Sequence, residues 1–126
     1  MDSQKLVPPA EFTKNIIGVL YSIYNELGFG YQEKHYYRGI KIKLLEKGFK
    51  VDEQLGCAIE ISGKIIGRYY LVFLISDEIV LVIKVADLVY PQHIKQVLGY
   101  LKAKNLKLGL IGVISKNGVI IKRVIN

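Results

Sequence analysis

"EIVLVIKVADLVYPQHIKQVLGYLKAKNLKLGLIGVIS", residues 78–115, sets two apolar runs on either side of a helical pattern, and its reading decides the fold. The runs "EIVLVIKV" (78–85) and "LKLGLIGVIS" (106–115) are rich in β-branched residues, as strands are. Between them Pro91 suits a first helical turn, and Ile94, Val97, Leu98 and Leu101 recur at helical spacing as far as Lys104. A helix of that length can serve as a crossover, so strands 79–85 and 107–114 are free to lie parallel in one mixed sheet. Strand parity then puts Val80, Val82 and Lys84 on one face and Ile79, Leu81, Ile83 and Val85 on the other. An ammonium near the end of a buried strand is costly without a partner or water. Either the Val82 and Lys84 face looks towards a cleft or a carboxylate, or Lys84 snorkels from the strand end.

Outward from this unit, "VIIKRVI" (119–125) follows Asn117-Gly118, a strong hairpin signal. Upstream, "CAIEI" (57–61) and "KIIGRYYLVFLI" (64–75) are bounded by the turn signals Ser62-Gly63 and "SDE" (76–78), which with strand 78–85 predicts a three-stranded antiparallel meander. Still earlier, Phe12, Ile16, Val19, Ile23 and Leu27 trace one helix face, and "ELGFG" ends it through Gly28 and Gly30. A second helix spans about Tyr31 to Lys47, with Tyr36, Ile40 and Leu44 on its stripe. The expected fold is α/β (α+β), a mixed central β-sheet flanked by helices in the order ααβββαββ, forming a single domain over residues 1–126.

Composition narrows the function classes. A net charge of +7, from 18 Lys and Arg against 11 Asp and Glu, favours an anionic partner such as DNA or RNA. One cysteine, Cys57, rules out an intramolecular disulfide, reads as a small core residue and makes a reducing cytoplasm the expected location. The start "MDSQKLVPPAEF" lacks an apolar signal core, and the longest apolar run, "YYLVFLI" (69–75), is far short of the ~18 residues of a membrane span, so no membrane partner is expected.

Chemistry gathers at "GYQEKHY" (30–36), where Glu33 falls in the first turn of the second helix, a position the helix dipole favours for a carboxylate. Gln96 and Tyr100, four apart in "QVLGY", project from one face of the third helix. With "GRYY" (67–70), the lysine of "VIK" (82–84) and "YLKAKNLKLGLI" (100–111), these segments resemble the GxxExxY proteins, a branch of the PD-(D/E)XK nuclease superfamily, from about Ile16 to the C-terminus. The resemblance implies a restriction-endonuclease-like core. It also implies an Asp on the second strand and Glu-x-Lys on the third, the carboxylates holding Mg²⁺ and the lysine positioning the attacking water.

Laid on that pattern, this chain places Val72 where the Asp stands and Val82 where the Glu stands, leaving Lys84. A hard divalent cation takes oxygen ligands, which valine lacks. The expectation is therefore a remnant pocket of Glu33, Lys84, Gln96 and Tyr100 with no intact catalytic set, no metal and no cofactor, in a protein that is not an enzyme. Asp87 is the nearest carboxylate able to substitute; Asp77 and Glu78 fall in a turn at the far end of the strand. His93 reads as a helix-end histidine rather than a general base, and Tyr36, Tyr37, Tyr69, Tyr70 and Tyr90 read as packing residues rather than base-stacking ones.

Three functions remain in play. The first is a degenerate nuclease-like module binding nucleic acid through phosphate contacts from Lys84, Lys34, Arg38, Lys41, Lys95, Lys102 and Lys104. The second is a self-assembling homo-oligomer on the same fold, suggested by a mean hydropathy of +0.26 and the apolar C-terminal strands. The third is an active nuclease whose substituted site uses Glu33, Lys84 and Asp87, the one case in which Mg²⁺ would enter.

Overall fold

The computed structural model describes residues 8–55, 58–68 and 71–126. Helix α1 (Ala10–Leu27) starts directly after Pro9 and buries Thr13, Ile16, Val19, Leu20 and Ile23, the stripe legible in the sequence. It ends at Gly28, whose φ of 71° is a left-handed conformation that costs glycine little, and whose N–H closes on the Tyr24 carbonyl at 2.7 Å. Helix α2 (Glu33–Glu46) packs against α1 and buries Tyr36, Tyr37, Ile40 and Leu44.

Strands β1 (Val51–Leu55), β4 (Leu71–Ile75), β5 (Ile79–Val85), β6 (Leu108–Ser115) and β7 (Gly118–Ile125) form one sheet in the order β1-β4-β5-β6-β7. β5 and β6 are parallel from Ile79↔Leu108 to Val85↔Ile114, and the other neighbours are antiparallel. Helix α3 (Pro91–Lys104) makes the crossover between the parallel pair and has the bounds the sequence predicts. The β6–β7 hairpin turns at Lys116 and Asn117, with Gly118 at positive φ. A separate two-stranded ribbon pairs β2 (Ala58–Ile61) with β3 (Lys64–Arg68), and its turn residues Ser62 and Gly63 both take positive φ, as a type I′ hairpin needs.

The sheet divides the core in two. Ile79, Leu81 and Ile83 face α1 and α2, whereas Val80 and Val82 face α3, with the parity expected. Close approach of α3 depends on Gly109 of β6, where an added Cβ would lie 2.5 Å from the Val97 side chain. Each aliphatic side chain fully buried in these layers contributes about 1.5–3 kcal/mol.

The element order differs from expectation: ααβββαββ becomes ααβββββαββ. β1, "VDEQL", escapes a search for apolar runs because it holds Asp52, Glu53 and Gln54, polar residues that an edge strand tolerates. Since β1 occupies the side of β4 opposite β5, from Val51↔Ile75 to Leu55↔Leu71, the ribbon cannot join the main sheet there. The run 64–75 thus serves two sheets rather than one meander. Cys57, Tyr69 and Tyr70 lie outside the described residues.

Candidate functional site

The decisive local feature is a parting of strands. β4 pairs with β5 from Ile75↔Ile79 to Phe73↔Leu81, while β5 continues beside β6 as far as Val85. Backbone groups left over on the β4 side of β5 must find other partners if they are to stay buried. α2 supplies them. The Tyr37 hydroxyl accepts the N–H of Ile83 at 3.0 Å and donates to its carbonyl at 3.2 Å, and Glu33 Oε1 accepts the N–H of Val85 at 3.3 Å. Glu33 and Tyr37 are one helical turn apart, so one face of α2 stands in for the missing strand. Burial pushes the Tyr37 phenol well above its ordinary range, outweighing its bond to Ile83, and it remains a protonated donor.

Tyr36, the tyrosine of "GYQEKHY", works on the loop instead. Its hydroxyl donates to the Gly28 carbonyl at 2.6 Å and accepts the Tyr31 N–H at 3.4 Å, pinning the α1–α2 connection. The spacing of Glu33 and Tyr36 therefore ties one helix start to both the end of β5 and the loop before it.

Beside these contacts lies a cleft of about 260 Å³ lined by Glu33, Lys34, Tyr37, Arg38, Glu53 and Phe73. Lys41 joins its rim by an ion pair with Glu53 at 2.6 Å. Sequence reasoning missed Tyr37 and Glu53 as site residues. Tyr37 was findable, lying four residues after Glu33, whereas Glu53 sits on the strand that the apolar search overlooked.

On the other side of the sheet the expected pocket takes a different form. Val72 and Val82, 0% and 1% exposed, pack with Val97, Tyr100, Ile111 and Val113 under α3. The Val80 and Val82 part of that face meets a closed apolar core, not a cleft, because α3 seats directly on it. Lys84 is half-buried near α3, and with burial as the larger cause its charge holds the His93 imidazole below its usual pKa. His93 accepts the Tyr90 N–H on Nδ1 at 3.3 Å and so caps its own helix, the role read from sequence. Gln96 is half-buried on α3, and the Tyr100 hydroxyl donates to Gln54 of β1. Burial, with a lesser part from Asp52, raises the Tyr100 phenol above its ordinary value.

Of the four pocket residues, Glu33 lines this cleft, Lys84 stands near the end of β5, and Gln96 and Tyr100 stand on α3. The basic candidates divide likewise. Lys34, Arg38 and Lys41 stand on α2, and Lys95, Lys102 and Lys104 are exposed on α3, with the Lys104 ammonium 5.9 Å from the Tyr100 ring centre. The first three stand on the helix that lines the cleft, the last three on the crossover helix. Asp87 is exposed, and its carboxylate accepts from the Tyr90 hydroxyl, which with backbone bonds keeps its pKa below the usual carboxylate value. Among the described residues no three His, Cys, Asp or Glu converge as a metal-binding group, and no helix is long and apolar enough to cross a membrane.

A family model of the PD-(D/E)XK nuclease superfamily matches residues 10–123, which take in both helical layers and all of the five-stranded sheet but the last two residues of β7. The chain belongs to the PD-(D/E)XK nuclease superfamily. Its mixed sheet between α1/α2 and α3 is the restriction-endonuclease-like arrangement, and the parting of β4 and β5 is a feature of this nuclease-like domain. No curated protein and no solved structure matches the chain.

Proposed function

We propose that this single domain is a catalytically degenerate member of its superfamily, of the GxxExxY kind, that binds nucleic acid through phosphate contacts. The observation that carries the reading is the closed packing of Val72 and Val82 under α3 where the superfamily pattern calls for metal-binding carboxylates. The residues present do not fit a Mg²⁺ site. Two valines offer no oxygen, which leaves Glu33, bonded to the Val85 N–H, as the one carboxylate of the pattern. Lys34 and Arg38 at the cleft, with the net charge of +7, favour an anionic ligand there.

The test is fluorescence anisotropy with labelled oligonucleotides across about 50 to 200 mM salt, the range in which phosphate contacts reveal themselves. A log–log slope of several released counterions is expected, reduced by about one in each of Lys34→Gln and Arg38→Gln. No cleavage is expected with Mg²⁺ or Mn²⁺; cleavage abolished by Lys84→Ala would replace this reading with that of an active nuclease.

Self-assembly is favoured by one separate observation. Ile61, Ile65 and Ile66 of the β2–β3 ribbon are 60%, 53% and 62% exposed, although a two-stranded ribbon is marginally stable in water by itself. A salt-resistant oligomer on size-exclusion chromatography, together with absence of oligonucleotide binding, would give that reading precedence.

A further inference from the structure

A second hollow, of about 350 Å³, opens at the carboxyl ends of β5 and β6, where Val85 and Ile114 close the parallel register. Crevices outside the carboxyl ends of parallel strands are the usual ligand positions of sheets flanked by helices. This one is lined by Phe29, Val85, Ala86, Asp87, Lys116 and Asn117. Its size falls within the range of small-molecule pockets.

Its lining is chemically mixed in a particular way. Phe29 is 45% exposed, an unfavourable state for an aromatic ring. Gly28 and Gly30, both at positive φ, flank it, and the Tyr36 hydroxyl fixes the Gly28 carbonyl, so the ring stands on an anchored loop. Asp87 brings a carboxylate with acceptor capacity beyond its bond from Tyr90, Asn117 an amide able to donate and accept, and Lys116 a cationic side chain. An aromatic face, an acceptor-rich edge and a cation together match a flat heterocycle on a phosphate chain.

The hollow also adjoins the cleft. Val85 lines it, and the N–H of the same residue is bonded to Glu33, which lines the cleft with Lys34 and Arg38. A chain passing from one to the other crosses the end of β5.

We infer that this hollow receives an unpaired nucleobase, stacked on Phe29 and read at its edge by Asp87 and Asn117, so that the bound nucleic acid is single-stranded there. The inference rests on the phosphate-binding reading of the cleft and adds strand type and base preference to it. A carboxylate accepts from an exocyclic amine and repels a carbonyl oxygen, so cytosine is preferred to thymine or uracil.

The experiment compares labelled dC12, dT12, their RNA counterparts and a 12-base-pair duplex by anisotropy with the whole chain. dC12 is expected to bind more tightly than dT12 and than the duplex. Phe29→Ala weakens dC12 binding by about 5- to 100-fold with its salt slope unchanged, since stacking releases no counterions. Phe29→Trp restores affinity, and Asp87→Asn narrows the difference between dC12 and dT12. Circular dichroism and the thermal midpoint of each variant establish that it is folded. Binding with a normal salt slope that is indifferent to Phe29→Ala, or a duplex bound as tightly as dC12, overturns this inference and leaves phosphate binding standing. Absence of binding by every oligonucleotide at low salt overturns both.

Discussion

Tyr37 shows how much one hydroxyl can carry. Phenylalanine at this position keeps the ring packed near Phe73, with centroids 5.0 Å apart, but leaves the Ile83 N–H and carbonyl without the partner that replaces β4. A buried polar group left unsatisfied costs about 1–3 kcal/mol. Tyr37→Phe is therefore expected to lower the urea midpoint by the equivalent of at least about 2 kcal/mol with an unchanged m value. His93 sets a second expectation. Burial and then Lys84 depress its folded pKa below the ordinary 6.5, so at intermediate pH the unfolded chain binds the extra proton. Stability from this residue is present above pH 6.5, falls as pH drops through the window beneath it, and levels off below the folded pKa. Thermal melts from pH 7.5 to 5 should show that decline, and His93→Gln should flatten it while keeping an acceptor for the Tyr90 N–H.

At the level of elements, the clearest dependence is that of α3 on Gly109. An alanine methyl there would sit 2.5 Å from Val97 and 3.4 Å from Leu101, so α3 must lift or Val97 must leave its rotamer. Overpacking of this kind costs about 1–3 kcal/mol. Gly109→Ala should lose stability within that range, and Val97→Ala should restore part of it in the double variant, a coupling that a double-mutant cycle measures. This strand–helix–strand unit was also the most legible part of the sequence. The apolar runs of β6 and of β5 up to Lys84 are long because both of their faces are covered, and Pro91 marks the start of α3. The loss of legibility at β1 has the opposite cause. An edge strand keeps polar residues, so Asp52 and Glu53 disguised it, and with it went the partner that excludes the β2–β3 ribbon from the main sheet. Site residues followed the same rule. Glu33 stood out by its place in the first turn of α2, whereas its bond to Val85 joins residues 52 apart in sequence, and no local pattern encodes it.

For the molecule as a whole, the proposed degeneracy turns on whether carboxylates can be accommodated where Val72 and Val82 stand. Val72→Asp with Val82→Glu would set two carboxylates among Val97, Tyr100, Ile111 and Val113, in place of valines that are no more than 1% exposed. Charged, they would each lose several kcal/mol of hydration without a compensating ion, against a total stability of about 5–15 kcal/mol for a domain. Escape lies in protonation: burial raises a carboxyl pKa, the folded state then binds more protons than the unfolded one, and stability increases as pH falls. The double variant should therefore be strongly destabilised at pH 8 in urea titrations, recover partly at pH 5.5, and respond little to Mg²⁺ at either pH. If millimolar Mg²⁺ instead raised its midpoint at pH 8, the two acids would be reaching a common cation. The valines would then mark a site that two substitutions can reopen rather than one that the packing of α3 has closed.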